Sequence, residues 1–237
     1  ISDAKKNGFV YSVLDSLTRF PQAVNRCEGK SKQLYSAHIN SNQLLFKKTI
    51  SGYETNLSID TLTNNAKNNF AAVNAFPFTV CDNSNGSYNG RIYISWADAK
   101  HGLNNNDVYL TYSNDGGESW MDRILVTFYP NHKQQFMPRM AIDEHTGFLY
   151  FLYCNQQNYP SGNLTDVFLT VSKDGGKTFN HYKLNSKPIS WQTTMPYSKY
   201  FSLSIDNGII YPTWLEVDDK KTLNILSATI TDSILKN

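Results

Sequence analysis

The chain has few charged residues, no long apolar run and no basic patch, and each shortage excludes a class of protein. Charged residues make up 18% of its 237 residues and the formal net charge is +2. A net charge so close to zero argues against a nucleic-acid-binding protein, which would be strongly basic, and against an acidic tail. No apolar run approaches the roughly 18 residues that cross a bilayer, so we expect no direct membrane span. No basic segment followed by an apolar one marks a signal peptide.

Cysteine is also scarce. Cys27, Cys81 and Cys154 are widely spaced and form no C-x-x-C pair, which argues against a zinc site. Two interpretations remain open: a Cys27–Cys81 disulfide in an oxidising compartment, or three small buried thiols.

Short motifs point to no catalytic or metal site. The five histidines show no paired spacing, and neither a Gly-x-Ser-x-Gly turn nor a phosphate-binding loop occurs. We therefore expect no metal and no cofactor. N-x-S/T sequons begin at Asn56, Asn85 and Asn163, a number that an asparagine-rich chain contains by chance.

Aromatic residues are abundant, at 14% of the chain, which suits a β-rich protein. Four segments repeat one pattern: an apolar run ending in Asp, a short turn, then Gly and a second apolar run ending in Tyr. They are 1–3 with 8–11, 77–82 with 90–93, 138–143 with 147–150, and 201–206 with 208–211. The closing tyrosines, at 11, 93, 150 and 211, lie 82, 57 and 61 residues apart. We attribute the longer first interval to an insertion or long loop between Ile50 and Phe70.

Each repeat contains further strands. The pattern predicts third strands at 33–37, 107–111, 166–170 and 223–229, and fourth strands at 123–126 and 181–184. The first two strands of each unit are almost continuously apolar, as in strands buried on both faces. Four strands in about 60 residues, without helical periodicity, indicate the blades of a β-propeller. A tandem of small β-sandwiches is the competing interpretation.

Two turns between predicted third and fourth strands share the pattern S-x-D-x-G-x-x-(W/F). Their defining residues are Ser113, Asp115, Gly117 and Trp120, and Ser172, Asp174, Gly176 and Phe179. In such a turn the Asp accepts hydrogen bonds from the turn's own amides, the Gly takes a positive φ, and the aromatic fills the gap between sheets. The first and last units have 39–42 and 230–233 instead.

These turns resemble the Asp box of the sialidase-like β-propeller family. The resemblance implies an all-β propeller segment of about four four-stranded blades, the first and last incomplete, at approximately 1–69, 70–130, 131–190 and 191–237. It also implies that these two turns, called the box turns below, are structural and contain no catalytic or metal-binding carboxylate. Sialidase-like propellers usually have six blades. Either this chain is part of a longer one, or partner subunits complete the ring.

The resemblance implies sialidase activity as a specific hypothesis. Sialidases bind the carboxylate of sialic acid with three arginines. The chain has five arginines, and we expect only Arg139 to lie on an innermost strand. Arg91 and Arg123 lie near turns or outer strands, where solvated positions are expected. The three-arginine set cannot be assembled from these residues, so we predict no catalytic residues.

The ends of the second strands are expected to face the central opening of the propeller, where ligands bind. The candidate ligand-binding residues are Trp96, Asp98, Arg139, Tyr153, Asn155, Trp214 and Glu216. Aromatic rings could stack on sugars beside hydrogen-bonding carboxylates and amides. Alternatively, Trp96, Tyr153 and Trp214 pack between blades.

Blade repetition without the arginine set favours a non-catalytic β-propeller. We predict that it binds a glycan or a protein partner, or serves as a structural subunit of a multi-subunit assembly. The expected location is extracellular or in the cell envelope or periplasm. The alternative is an exo-sialidase or related glycoside hydrolase whose further blades lie outside this chain.

Overall fold

A computed structural model describes residues 26–40, 42–63, 76–102, 105–127, 133–159, 162–190, 201–217, 223–231 and 235. Every regular element in these residues is a β-strand. None of them contains a helix that could cross a membrane. The predicted strands at 1–3 and 8–11 lie outside the described residues.

The strands form four antiparallel sheets in chain order, and in each of the first three sheets four consecutive strands pair in sequence order, with a fifth short strand added to sheet 3. Sheet 1 contains β1 (Arg26–Glu28), β2 (Leu34–Asn40), β3 (Gln43–Ile50) and β4 (Tyr53–Thr61). Sheet 2 contains β5 (Phe78–Cys81), β6 (Ile92–Asp98), β7 (Asp107–Ser113) and β8 (Ile124–Leu125). Sheet 3 contains β9 (Gln135–Ile142), β10 (Leu149–Asn155), β11 (Leu164–Ser172) and β12 (Asn180–Lys183), with β13 (Ile189–Ser190) also paired to β11. Sheet 4 contains β14 (Ser202–Asp206), β15 (Ile209–Val217), β16 (Leu223–Ser227) and β17 (Ile230–Thr231).

The sheets pack face to face around their innermost strands β1, β5, β9 and β14, which lie next to one another. Side chains alternate between the two faces of each strand. On β10, Phe151 and Tyr153 pack toward sheet 2, and Leu152 and Cys154 pack toward sheet 4. Both faces of sheets 2 and 3 are therefore buried, which explains the nearly continuous apolar character of β6 and β10.

Sheet 1 differs from its predicted arrangement. Residues 33–37 were expected in a third strand, but Leu34–Asn40 is the second strand, and Tyr35 pairs with Cys27 as Tyr93 pairs with Val80. Counted from Tyr35, the tyrosines at equivalent positions lie 58, 57 and 61 residues apart. Within the described residues the repeat can therefore be counted from β1, and the interval from Tyr35 to Tyr93 needs no insertion.

The predicted long loop after Ile50 is also wrong in part, since Tyr53–Thr61 forms β4. This outer strand is mostly exposed, so it lacks the continuous apolar run that revealed the other strands. Residues 39 and 40 of the predicted turn at 39–42 belong to β2, and the equivalent of the two box turns is the tight Ser51–Gly52 hairpin.

The two box turns have the geometry expected from their sequences. In the first, Asp115 accepts hydrogen bonds from the amides of Glu118 and Ser119 and from two serine hydroxyls. The hydrogen bonds, led by the one from the Ser119 hydroxyl, lower the pKa of Asp115. Asp174 accepts the same set of hydrogen bonds in the second turn. Both carboxylates are engaged within their own turns, as a structural role requires.

Each box turn packs back onto the preceding sheet. Gly117 faces the Phe46 ring of sheet 1, and Gly176 faces Leu110 of sheet 2. Trp120 meets Phe46 of sheet 1 edge-on, whereas Phe179 meets Phe151 of its own sheet edge-on and packs against the core between sheets 2 and 3. The boxes therefore contribute to the contacts between neighbouring sheets.

Arg91 is not the solvated residue that the sequence suggested. It is 9% exposed and stacks on Tyr88 and Tyr112. Its guanidinium donates hydrogen bonds to Asn114 Oδ1 and to the Gly175 carbonyl of the next sheet's box turn. The prediction failed because position near a turn does not reveal contacts with the neighbouring repeat.

A disulfide joins Cys27 to Cys81, between the innermost strands of sheets 1 and 2, and Cys154 is a buried free thiol. The structure thus selects the first of the two interpretations of the cysteines. We predict that thiol titration of the denatured chain finds one thiol before reduction and three after it. Three thiols without reduction would contradict the disulfide.

Candidate functional site

One edge of the sheets gathers the ends of the second strands and the starts of the third and innermost strands. Asp98 at the end of β6 faces Asp107 at the start of β7, and Asn155 at the end of β10 faces both Asp166 and Gln135. We call this the upper edge. The box turns lie at the opposite, lower edge.

The three aromatic candidates are packed between sheets. Trp96 is 0% exposed, Tyr153 1% and Trp214 6%. Trp96 packs against Tyr109 and the core between sheets 1 and 2, and Trp214 belongs to the core between sheets 3 and 4. These rings support the sheets, which was the alternative offered by the sequence. A sugar-stacking role for them stays a prediction.

Asp98 is held in an ion pair. Its fully buried carboxylate accepts hydrogen bonds from Arg123 Nη1 at 2.7 Å and from the Thr63 amide at 2.9 Å. Burial raises the pKa of Asp98, while the Arg123 guanidinium acts to lower it. Arg123 also pairs with Asp60 of sheet 1, so it lies between sheets and is not the solvated arginine that was expected. The two ion pairs of Arg123, with Asp60 and with Asp98, therefore link sheet 1 to sheet 2.

Two further aspartates fasten the loops of the upper edge. Asp107 contacts His101 Nδ1 at 2.9 Å and accepts a hydrogen bond from Thr127. Asp166, at the equivalent position of sheet 3, accepts hydrogen bonds from Tyr159 and Asn185. Among the described residues of this edge, each of these buried carboxylates is engaged by the chain's own groups. No three His, Cys, Asp or Glu side chains of the described residues group as a metal site.

Arg139 lies on innermost strand β9, as predicted, beside a bulge where β9 and β10 shift register. Met137 in this bulge has a φ of 57°, a strained value for a non-glycine residue. The Arg139 guanidinium lies over the rings of Phe78 and Phe201 and donates to the Phe201 and Pro138 carbonyls. Burial lowers its pKa to about 10. It is not the only arginine on an innermost strand, because β1 begins at Arg26.

The remaining two candidates lie at the same edge. Glu216 is half-buried near the end of β15 and faces Asn224. Asn155 is 2% exposed, and its side-chain oxygen accepts hydrogen bonds from the Gln157 amide and from Gln135 Nε2. Unlike Asp98, Asn155 thus belongs to a polar group that carries no charge.

That group is a cluster of side-chain amides between sheets 2 and 3, which the sequence analysis missed apart from Asn155. We call it the carboxamide cluster, and its members are Asn106, Gln134, Gln135, Asn155 and Gln157. Asn106 Nδ2 donates to Gln134 Oε1. The backbone N–H of Gln135 donates to the backbone carbonyl of Asn106. The cluster is almost fully buried and reaches the surface at half-buried Gln157.

Within the part of the chain that the structure describes, three side-chain oxygens of the cluster have no hydrogen-bond partner. They are Asn106 Oδ1, Gln135 Oε1 and Gln157 Oε1. Buried polar atoms are usually hydrogen-bonded, so three orphaned acceptors in one cluster indicate a place for hydrogen-bond donors. The cluster carries no charge. The sequence feature that could have revealed the cluster is a pair of adjacent Asn or Gln residues at the start of a strand, at 105–106 and at 134–135.

The lower edge has a cavity of about 800 Å³ at the ends of the four innermost strands. Its lining includes Arg26, Lys30, Glu144, His145 and Asp206, together with the Cys27–Cys81 disulfide. Charges of both signs surround it, and they favour no single class of ligand.

Four radial sheets of antiparallel strands, with their first strands side by side around a centre, define the chain as a segment of a β-propeller. The fold class predicted from the sequence is confirmed. No family model matches the sequence, and no curated protein matches it.

Solved structures share the fold. A Penicillium chrysogenum α-L-arabinanase in complex with arabinobiose is 15% identical with a TM-score of 0.56, over 87% of this chain and 61% of that one. An endo-arabinase from Bacteroides thetaiotaomicron is 14% identical with a TM-score of 0.53, over 94% and 80%. An α-L-arabinofuranosidase from Fusarium graminearum is 12% identical with a TM-score of 0.50, over 88% and 75%. The chain thus spans 61% of the Penicillium arabinanase, and at these identities the likeness concerns the fold alone.

Proposed function

We propose that this chain binds a neutral oligosaccharide at the upper edge of its sheets and does not cleave it. The observation that carries the proposal is the set of three orphaned, buried amide oxygens in the carboxamide cluster. Sugar hydroxyls donate to such oxygens, and a few convergent polar groups in a mostly apolar setting are typical of ligand sites.

The uncharged character of the cluster supports a neutral sugar over an acidic one. An acidic sugar needs a cationic partner, and Arg139 already donates to two backbone carbonyls. The engagement of Asp98, Asp107 and Asp166 with their own neighbours supports binding without catalysis. Arabino-oligosaccharides are the first probes, because the three solved structures above are named for enzymes that act on arabinose polymers or arabinosides.

The test is calorimetric titration of the full chain with arabinobiose and a panel of neutral oligosaccharides. Removing one hydrogen-bonding amide is expected to cost about 1.4 kcal/mol, so Q135A and Q157A should each weaken binding about tenfold. Gln43→Ala, which removes an exposed amide of sheet 1, is the matched control and should change nothing. Equal affinity in all four proteins would contradict the assignment. No sugar binding, together with a co-purifying protein, would instead favour the role of an assembly subunit.

A glycoside hydrolase is the second candidate, and the fold it shares with the arabinanases favours it. Release of sugar from arabinan, abolished by E216Q, would support this alternative. Release of a fluorogenic sialoside, abolished by Arg139→Ala, would support the sialidase form. Inactivity of the full-length protein on a broad glycoside panel would exclude both.

We also propose that the protein works outside the cytosol, either secreted or in the cell envelope. The disulfide between sheets 1 and 2 supports this location, since such bonds persist in oxidising compartments.

A further inference from the structure

Strand β4 is an unusually long and open outer strand. It has nine residues, whereas the outermost strands of sheets 2 and 3, β8 and β12, have two and four. Six consecutive residues, 53–58, are exposed, and within the described residues β4 pairs only with β3. Its outward edge therefore presents a row of backbone donors and acceptors to solvent.

Few of the usual devices protect this edge. Two apolar side chains of β4 are exposed, Tyr53 at 82% and Leu57 at 41%, and Ile50 at the end of neighbouring β3 is 41% exposed. Glu54 forms an ion pair with Lys47 of the neighbouring strand, and the pairing with β3 is regular over 53–58. Flat, open edge strands with apolar residues pair with other chains unless something covers them.

The middle of this exposed stretch is a sequon, Asn56-Leu57-Ser58. We propose that Asn56 carries an N-linked glycan that covers the open edge of β4. A glycan is bulky and solubilising, and it acts where it is attached. Asn56 pairs with Lys47 while Leu57 pairs with Phe46, so the glycan would stand on the sheet face opposite the packing with sheet 2.

The other two sequons have less open surroundings. Asn85 lies in the tight turn that precedes Gly86, whose Cα approaches the Thr146 carbonyl so closely that an added Cβ would lie 3.1 Å from it. Asn163 is two residues before the fully buried Thr165. All three asparagines are exposed, but only Asn56 is flanked by exposed residues on both sides over several positions.

The modification is a group transfer from a lipid-linked oligosaccharide diphosphate. The Asn56 side-chain nitrogen bonds to C1 of the first sugar, and the C1–O bond to the diphosphate breaks. The lipid diphosphate leaves, and a base of the transferring enzyme takes the amide proton. This inference rests on the proposed secretory location and is independent of sugar binding by the carboxamide cluster.

The test uses the full chain from its natural source and from eukaryotic secretory cells. Enzymatic release of N-glycans in ¹⁸O-labelled water converts a glycosylated Asn to labelled Asp, which peptide mass spectrometry locates. We expect the label at residue 56 in the wild type and in S58T, which keeps the sequon, and its loss in S58A, which destroys it. We also expect S58A to self-associate at concentrations where S58T is monomeric by light scattering.

Two outcomes would overturn the proposal. An unlabelled Asn56 in the natural protein would show that the sequon is unused. Equal self-association of S58A and S58T, with the glycan present on S58T alone, would show that the glycan does not protect the edge. Neither outcome bears on sugar binding, which the titration with Q135A and Q157A tests separately.

Discussion

Replacing Gly117 by alanine is expected to lower the free energy of unfolding by about 3–4 kcal/mol. Two effects add. Gly117 has a φ of 91°, which an L-residue adopts at a cost, and its added Cβ would lie 2.3 Å from Phe46 Cε1. Phe46 is 2% exposed and packs against Tyr35 and Trp120, so its ring cannot move aside.

The chain supplies a control for each effect. Gly90 has nearly the same backbone angle, a φ of 89°, and an added Cβ meets nothing within 4 Å. G90A should therefore show only the backbone term, about 1 kcal/mol. Gly176→Ala should lie between the two, because its added Cβ meets the end of a leucine side chain, Leu110 Cδ2, at 2.7 Å.

Chemical denaturation of the three variants measures these differences, provided that the dependence on denaturant is unchanged. Equal destabilisation by G117A and G90A would show that the box turn does not rely on close packing against sheet 1. The structural role assigned to the box would then need another explanation.

The sequence predicted the box turns and sheets 2 and 3 well because their signals are local. Gly117 and Gly176 recur at one point of a repeat, and β6 and β10 are apolar along their length. Such patterns reflect turn chemistry and burial on both faces, which depend on residues close in sequence. The third and fourth strands of these sheets were found near their predicted positions for the same reason.

The strands of sheet 1 were assigned wrongly because the sequence patterns that mark its strands and turn are weak. Its outer strand β4 is mostly polar and exposed, without a continuous apolar run, and its hairpin at Ser51–Gly52 is shorter than a box turn. The prediction counted the repeat from the tyrosine at 11, which lies outside the described residues, whereas Tyr35 occupies the second-strand position in sheet 1. Where the turn motif is missing, aligning the repeats by tyrosine alone does not identify the second strand.

The candidate site could be predicted only in part because its residues come from different sheets. Gln135 and Asn155 meet across strands, and Asn106 meets Gln134 across sheets, with no fixed spacing between the members. The rule that second strands end at the ligand-binding edge located Asn155. It also selected Trp96 and Asp98, which the structure places in the packing and ion pairing between sheets.

Arg123→Ala is expected to destabilise the fold by about 3–5 kcal/mol near neutral pH, because it leaves the Asp98 carboxylate buried without its cation. The double variant D98N/R123A removes both charges and should lose much less than the sum of the single variants. Thermal or chemical unfolding of the four proteins completes the cycle. Strict additivity would mean that the pair contributes nothing beyond its separate members.

The loss in R123A should depend on pH in a defined direction. Burial already raises the pKa of Asp98 in the folded protein, and removing Arg123 removes an interaction that lowers it. A group whose pKa is raised by folding contributes stability at low pH and loses it as pH rises through the folded pKa. The deficit of R123A relative to the wild type should therefore shrink as pH falls below neutrality, whereas the stability of D98N/R123A has no contribution from a titrating carboxyl at residue 98. A deficit in R123A that does not change with pH would show that Asp98 is not the group left unpaired, and the assignment of this ion pair as the fastening between sheets 1 and 2 would fail.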